Sequence, residues 1–154
     1  MEMLTGTTSK GQEIANREKA ADAPFLSAGF WKPGVAITGE VVSVHNSSNG
    51  PYIAVELFPS TFEHETLGTY TTLSFVELPD ADGNWRDFSV VRIGNLAGLG
   101  LARRAALAEQ KDKRFVVGDR LQILCTGITP ATKEGYSDSP NFELGIVPSP
   151  ARVF

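Results

Sequence analysis

Residues 115–147 (FVVGDRLQILCTGITPATKEGYSDSPNFELGIV) constrain the fold more than any other stretch. They read as a strand, a long polar loop and a second strand. Leu121, Ile123 and Cys125 alternate with Arg120, Gln122, Leu124 and Thr126, the period-2 pattern of a half-buried strand. Val117, Gly118 and Asp119 form a turn just before it, where glycine tolerates a positive φ. Residues 130–140 carry Pro, Gly, Ser and Asp too densely to continue a strand. Residues 141–147 alternate again, with Phe142, Leu144 and Ile146 on one face. The two segments are expected to pair as a hairpin whose loop carries Lys133 and Tyr136.

The chain before this hairpin supplies further strands. Residues 1–24 are polar and without a sustained period, and are expected to form a mobile arm in which 13–21 fits a helical turn. Residues 25–34 hold Phe25, Phe30 and Trp31 beside Leu26, and this apolar run either packs on the domain, the plainer expectation, or faces a partner. Residues 35–45 read as the first strand. Val35 and Ile37 share one parity and Val42 and Val44 the other, so a bulge or kink at Gly39 would turn both pairs inward. Residues 46–50 make a turn around Asn49-Gly50. The second strand, 52–58, points Ile53, Val55 and Leu57 inward and Tyr52, Ala54, Glu56 and Phe58 outward.

Residues 59–68 read as irregular. Residues 70–78 and 85–93 read as two strands of a hairpin joined through 79–84, and the pattern leaves open which of them belongs to the main sheet. Arg86, Phe88, Val90 and Arg92 share one face of the latter, interleaving two guanidiniums with an aromatic ring. Residues 96–110 fit a helix capped by Asn95, with Leu96, Leu99, Ala106 and Leu107 on one stripe and Arg103 and Arg104 on the solvated side. Gly98 and Gly100 weaken it by about 1 kcal/mol each. The basic run 111–114 suits the helix C-terminus.

A chain of 154 residues with 42% hydrophobic content suffices for one domain with its own core. The domain is expected over 25–148, between the arm and a tail at 149–154. Cys125 is the sole cysteine, so no intrachain disulfide forms, and its place on the core face reads as a small buried hydrophobe. No apolar run is long enough to span a membrane, and the N-terminus has no signal-like apolar region. A cytoplasmic location without membrane contact is the expectation.

Two histidines, no recognisable nucleophile motif and scattered carboxylates do not assemble acid–base or triad chemistry. An enzyme is not expected, nor a metal or other cofactor. Gly98-Leu-Gly100 lies inside the helical stretch and lacks the third glycine of a dinucleotide-binding turn. Glu63-His64-Glu65 reads as a solvated loop, not a metal site.

The net charge of −4 argues against a generic duplex-DNA binder. The charge is uneven, however. Residues 86–120 hold eight bases against four acids, and residues 32–82 hold one base against seven acids. Such asymmetry points to one basic surface on an acidic protein.

The element order is strand, strand, strand or hairpin, helix, strand, strand. That is the order of an OB fold, a mostly β, five-stranded Greek-key barrel with one helix between strands three and four, here with an added hairpin. OB folds bind oligonucleotides on the face of strands two and three and with neighbouring loops. Single strands offer phosphates, which Arg and Lys attract, and unstacked bases, which aromatic faces receive. On this placement the candidate set is Tyr52, Phe58, Arg86, Phe88, Arg92 and Arg120 with Lys133 and Tyr136 from the last loop; Glu56 on the same face opposes it.

The segments FWKPGVAITGEVVSV, FVVGDRLQILCTGI and NFELGIV resemble OB-fold single-stranded-DNA-binding proteins of bacteriophages. The resemblance covers most of residues 30–147 and rests on a pattern of positions, not on an invariant motif. It implies a viral protein that coats single-stranded DNA in replication or recombination, with RNA binding and self-association left open. Many such proteins end in an acidic tail with a terminal aromatic; here Phe154 is terminal but residues 148–154 hold no acid, so recruitment through the tail is not carried over. The alternative is a protein-binding β-barrel module, such as a virion or assembly component.

Overall fold

The computed structural model describes residues 23–48, 50–66, 68–94, 96–132, 134–135 and 138–150. β1 (Ala36–Ser47) and β2 (Gly50–Leu57) form a hairpin with Ser47 opposite Gly50. β3 (Ser60–His64) and β4 (Gly68–Thr72) form one two-stranded ribbon, and β5 (Val76–Pro79) and β6 (Trp85–Phe88) another. β7 (Val90–Ile93), the helix α1 (Ala97–Ala106), β8 (Arg120–Thr129) and β9 (Ser139–Val147) follow. The main sheet has five antiparallel strands in the order β7-β2-β1-β8-β9. The described chain is therefore mostly β, with α1 between the third and fourth strands of the main sheet.

Alternating burial explains the sheet. Ile53, Val55 and Leu57 of β2, Val91 and Ile93 of β7, and Leu121, Ile123 and Cys125 of β8 all lie in one core with Trp31 and Leu99. At about 25 cal/mol per Å² of apolar area, these side chains are the main source of stability. Phe30 and Trp31 pack as expected for the apolar run: Trp31 is buried, with ring centroids 5.1 Å from Phe30 and 5.0 Å from Phe142 of β9.

The central strand β1 departs from the expected geometry. Its bulge lies between Val41 and Ser43, not at Gly39. Val35 and Ile37 belong to the main core, whereas Val42 packs on the separate Ala23–Ala54–Val90 cluster and Val44 is 42% exposed, so the two pairs do not share one interior. Gly39 serves close approach instead. A Cβ there would collide with Val55 and with the Glu56 carbonyl, so only glycine lets β2 lie this near.

The region between β2 and α1 is organised differently from the sequence reading. Residues 60–64, read as irregular, form β3. Its partner β4 ends at Thr72, which shares a 2.6 Å hydroxyl hydrogen bond with buried Thr38 of β1. The Ser60 amide donates to Thr72 Oγ1 at 3.1 Å, so hydroxyls hold this ribbon to the sheet. The expected strands 70–78 and 85–93 pair with each other only over Val76–Pro79 and Trp85–Phe88. The second is broken at Ser89, whose carbonyl accepts the Leu57 amide at 2.8 Å, and only Val90–Ile93 joins the main sheet. There are thus two added ribbons among the described residues where one hairpin was expected. His64 lies on β3 with its Nε2 2.5 Å from Glu143 of β9, not in a solvated loop.

Both ends of the packed body extend past the expected limits. Ala23 is buried and Pro24 accepts the Arg92 amide at 2.8 Å; Ser149 is buried and its amide donates to Asp119 Oδ1 at 2.8 Å. The rest of the expected arm and tail, 1–22 and 151–154, lies outside the described residues, as does the expected cap Asn95. The residue preceding α1 is Leu96, which makes no capping side-chain bond. Beyond the helix, Lys113 Nζ donates to the carbonyls of Ala108, at 2.8 Å, and Gln110.

The two helix glycines differ. A Cβ at Gly98 would meet the Pro140 carbonyl oxygen of β9, whereas one at Gly100 meets nothing within 4 Å. Gly98→Ala is expected to destabilise the protein by about 1–3 kcal/mol through overpacking. Gly100→Ala is expected to stabilise it by about 1 kcal/mol through helix propensity. Urea unfolding of both variants checks the pair; equal shifts of the same sign would contradict the packing.

Candidate nucleic-acid interface

The outward parity of β2 leads to the site. Tyr52, Ala54 and Glu56 alternate with the core residues of that strand, and the register sets Tyr52 opposite His45, Ala54 opposite Ser43 and Arg92, and Glu56 opposite Glu40 and Val90. Ala54 and Val90 are nevertheless buried, because Ala23 covers them together with Val42. Phe25 forms a parallel bridge with Arg92, and the Leu26 amide donates to the Arg92 carbonyl at 2.8 Å. The chain entering the domain therefore lies along the outer edge of β7.

This pairing builds a compact cluster. The Arg92 guanidinium sits 4.2 Å from the Phe25 ring centroid and 6.0 Å from that of Tyr52, while its Nε donates to the Ala23 carbonyl at 2.6 Å. Phe25 meets Tyr52 edge-on at 5.1 Å. His45 stacks on Tyr52 at 4.7 Å, nearly parallel, and shares a 2.8 Å hydrogen bond with Ser43. Phe25 remains 47% exposed, so a π surface with a fixed cation beside it faces solvent.

A second, smaller pair lies further along the same face. The Arg120 guanidinium is 5.7 Å from the Phe58 ring, and its Nε donates to Glu40 at 3.3 Å. Glu40 and Glu56 stand opposite each other across the β1–β2 pair. Like charges so placed repel, and Arg120 offsets the repulsion at Glu40. The two carboxylates separate the Tyr52–Arg92 cluster from the Phe58–Arg120 pair and disfavour phosphate between them.

Of the residues singled out from sequence, Tyr52 and Arg92 come together, and so do Phe58 and Arg120. Arg86 and Phe88 are neighbours, the guanidinium 5.4 Å from the ring, but they lie on β6 in the separate ribbon, and Arg86 is 3.8 Å from Asp80. Lys133 and Tyr136 lie outside the described residues. Phe25, read only as part of the apolar run at 25–34, and His45 belong to the cluster without having been in the candidate set. The turn at 46–50 fixes the register that sets His45 beside Tyr52, so that neighbour could have been counted from the hairpin; Phe25 arrives by a bridge to a residue far along the chain.

Comparison with protein-family models, with curated proteins and with solved structures finds no match to this chain. Among the described residues, no helix is long and apolar enough to cross a membrane, and no group of three or more His, Cys, Asp or Glu side chains gathers as metal ligands would.

Proposed function

We propose that the protein binds single-stranded nucleic acid, DNA in the first instance, in replication or recombination of a viral or related genome. The observation that carries this reading is the Phe25–Tyr52–His45–Arg92 cluster on the outer face of the sheet's second and third strands. An exposed ring can receive a base, at about 1–3 kcal/mol per stacked base, and the guanidinium beside it favours the neighbouring phosphate. The strand order and the place of the helix support an OB-like barrel, a fold in which that face is the usual oligonucleotide platform. On this reading Phe58 and Arg120 would hold a neighbouring nucleotide. Arg92 also anchors Ala23, so Tyr52 is the cleaner residue to remove.

The test is fluorescence anisotropy with labelled oligothymidine at low and moderate salt, beside the matching duplex. Wild-type protein is expected to bind the single strand, with affinity falling as salt rises through counterion release. Tyr52→Ala is expected to weaken binding by roughly 5- to 100-fold, the equivalent of one lost stack, without change in thermal stability beyond about 1 kcal/mol. An absence of binding at low salt would sink the proposal. The exposed Trp85 of the β5–β6 ribbon, with Leu73 and Phe75 before it, favours a second reading, a module that binds protein, and this reading would then take its place.

A further inference from the structure

Two further surfaces stand out, the second of which borders the nucleic-acid cluster at Tyr52. The first is the β5–β6 ribbon with the residues leading into it. Trp85 is 65% exposed, Leu73 57% and Phe75 38%. Residues 76–88 carry four acids, Glu77, Asp80, Asp82 and Asp87, against the single base Arg86. The second is a half-open cleft of about 420 Å³ between the β1–β2 hairpin, α1 and residues 112–117. Val44, Ile53, Ile93, Leu99 and Phe115 line its apolar wall. Arg103, Arg114 and Asp112 also line it, and Arg114 Nε donates to Asp112 at 3.0 Å. The Arg103 guanidinium lies 5.9 Å from the Phe115 ring, and its buried Nε has no hydrogen-bond partner among the described residues. Arg103 was expected on the solvated side of the helix; it is half-buried at the cleft instead. Residues 103–114 hold five bases against two acids.

The two surfaces match in charge, and one offers an exposed indole where the other offers an apolar recess. Within one chain they join opposite ends of β7. The ribbon enters the sheet at Ser89, beside Leu57, and the cleft begins at Ile93, at the other end of β7. At about 3.3 Å per residue the strand sets these two attachment points roughly 13 Å apart. We propose that the protein self-associates head to tail: the β5–β6 ribbon of one copy inserts Trp85 into the α1 cleft of the next, with its aspartates facing Arg103. Such a heterologous contact leaves a free ribbon at one end and a free cleft at the other, so it propagates as an open chain. It requires no nucleic acid, and its variants lie outside the Phe25–Tyr52–His45–Arg92 cluster, although the cleft shares Tyr52 with that cluster.

Sedimentation velocity of the full chain without nucleic acid, from micromolar to near-millimolar protein, tests this. At low salt the weight-average mass is expected to climb past that of a dimer, and to fall towards the monomer at high salt. Trp31 is buried and Trp85 exposed, and these are the two tryptophans of the chain, so emission should shift to the blue as Trp85 is covered. Trp85→Ala removes the insert. Gly100→Glu puts an acid at the cleft where a side chain finds open space, and Gly100→Ala serves as the folding control, expected to assemble as wild type. Each of the first two variants alone should remain monomeric. Their mixture should give a one-to-one dimer and nothing larger, because one intact ribbon and one intact cleft remain between them. A wild type that stays monomeric at low salt overturns the proposal. So does a Trp85→Ala protein that assembles like wild type, or a mixture that forms no dimer.

Discussion

Trp31→Ala is expected to lower the unfolding free energy by about 3–5 kcal/mol, the range for truncating a large buried aromatic. Trp31 is 1% exposed and makes edge-on contacts with Phe30 on one side and Phe142 on the other. It thereby joins the chain entering β1 to the last strand of the sheet. The same entry is held by backbone bonds: the Gly34 amide donates to the Cys125 carbonyl and the Cys125 amide to the Val35 carbonyl, both at 2.9 Å. Removing the indole leaves a cavity that these bonds prevent from collapsing. Against a total stability of about 5–15 kcal/mol, the loss is large. The expected result in urea is a lower midpoint with an unchanged slope. Trp31→Phe should cost much less, since it keeps most of the packed volume and deletes an indole N–H that has no partner among the described residues. A Trp31→Ala loss below about 1 kcal/mol would place it among surface substitutions and remove Trp31 from the core.

How much of this fold could be read from sequence depends on what holds each element. β2, β8 and β9 were legible because their burial on one face imposes alternation. β3 was not, because its attachment runs through Thr72 and Thr38 hydroxyls instead of an apolar stripe, and Phe62 is the only large apolar side chain in its STFEH sequence. The run 85–93 looks continuous by parity, yet the backbone turns at Ser89 to meet Leu57, and no periodicity reports a break of one residue. On β1 the parity switch between Ile37 and Val42 signalled a bulge, but glycine content misplaced it; Gly39 is there for the closeness of Val55. The candidate site divides in the same way. Tyr52, Phe58, Arg92 and Arg120 follow from strand parity. Phe25 reaches them through a bridge to Arg92, a long-range contact without a local signature. Arg103 fits the helix's polar face by period, and only the fold of residues 112–117 against that helix shows it lining a cleft.

Asp119→Ala is expected to cost about 3 kcal/mol or more, since hydrogen bonds to a charged group contribute roughly 1.5–3 kcal/mol each. The carboxylate is fully buried and accepts the Val116 amide at 2.9 Å through Oδ2 and the Ser149 amide at 2.8 Å through Oδ1. The main chain of Asp119 closes the same knot: its amide donates to the Val116 carbonyl at 3.2 Å, and its carbonyl accepts the Val41 amide at 2.8 Å. Gly118 has φ +96°, the conformation that a type II turn asks of its third residue. One residue therefore sets the turn into β8 and fastens the chain leaving β9 through its carboxylate, and docks that turn on β1 through its main chain. Asn in its place retains one acceptor oxygen and should recover part of the loss. Amide hydrogen exchange gives the sharper measurement. The Val116 and Ser149 amides should exchange faster in Asp119→Ala by more than the global loss of stability requires, and unchanged protection at both would separate the carboxylate from the turn. The neighbouring residue makes the effect functional as well. Arg120 starts β8 from this turn, so loosening Asp119 frees the guanidinium that lies between Glu40 and Phe58. If that pair holds a nucleotide, Asp119→Ala should weaken single-strand binding while leaving the edge-on Phe25–Tyr52 pair intact, and it should do so at temperatures well below its own unfolding.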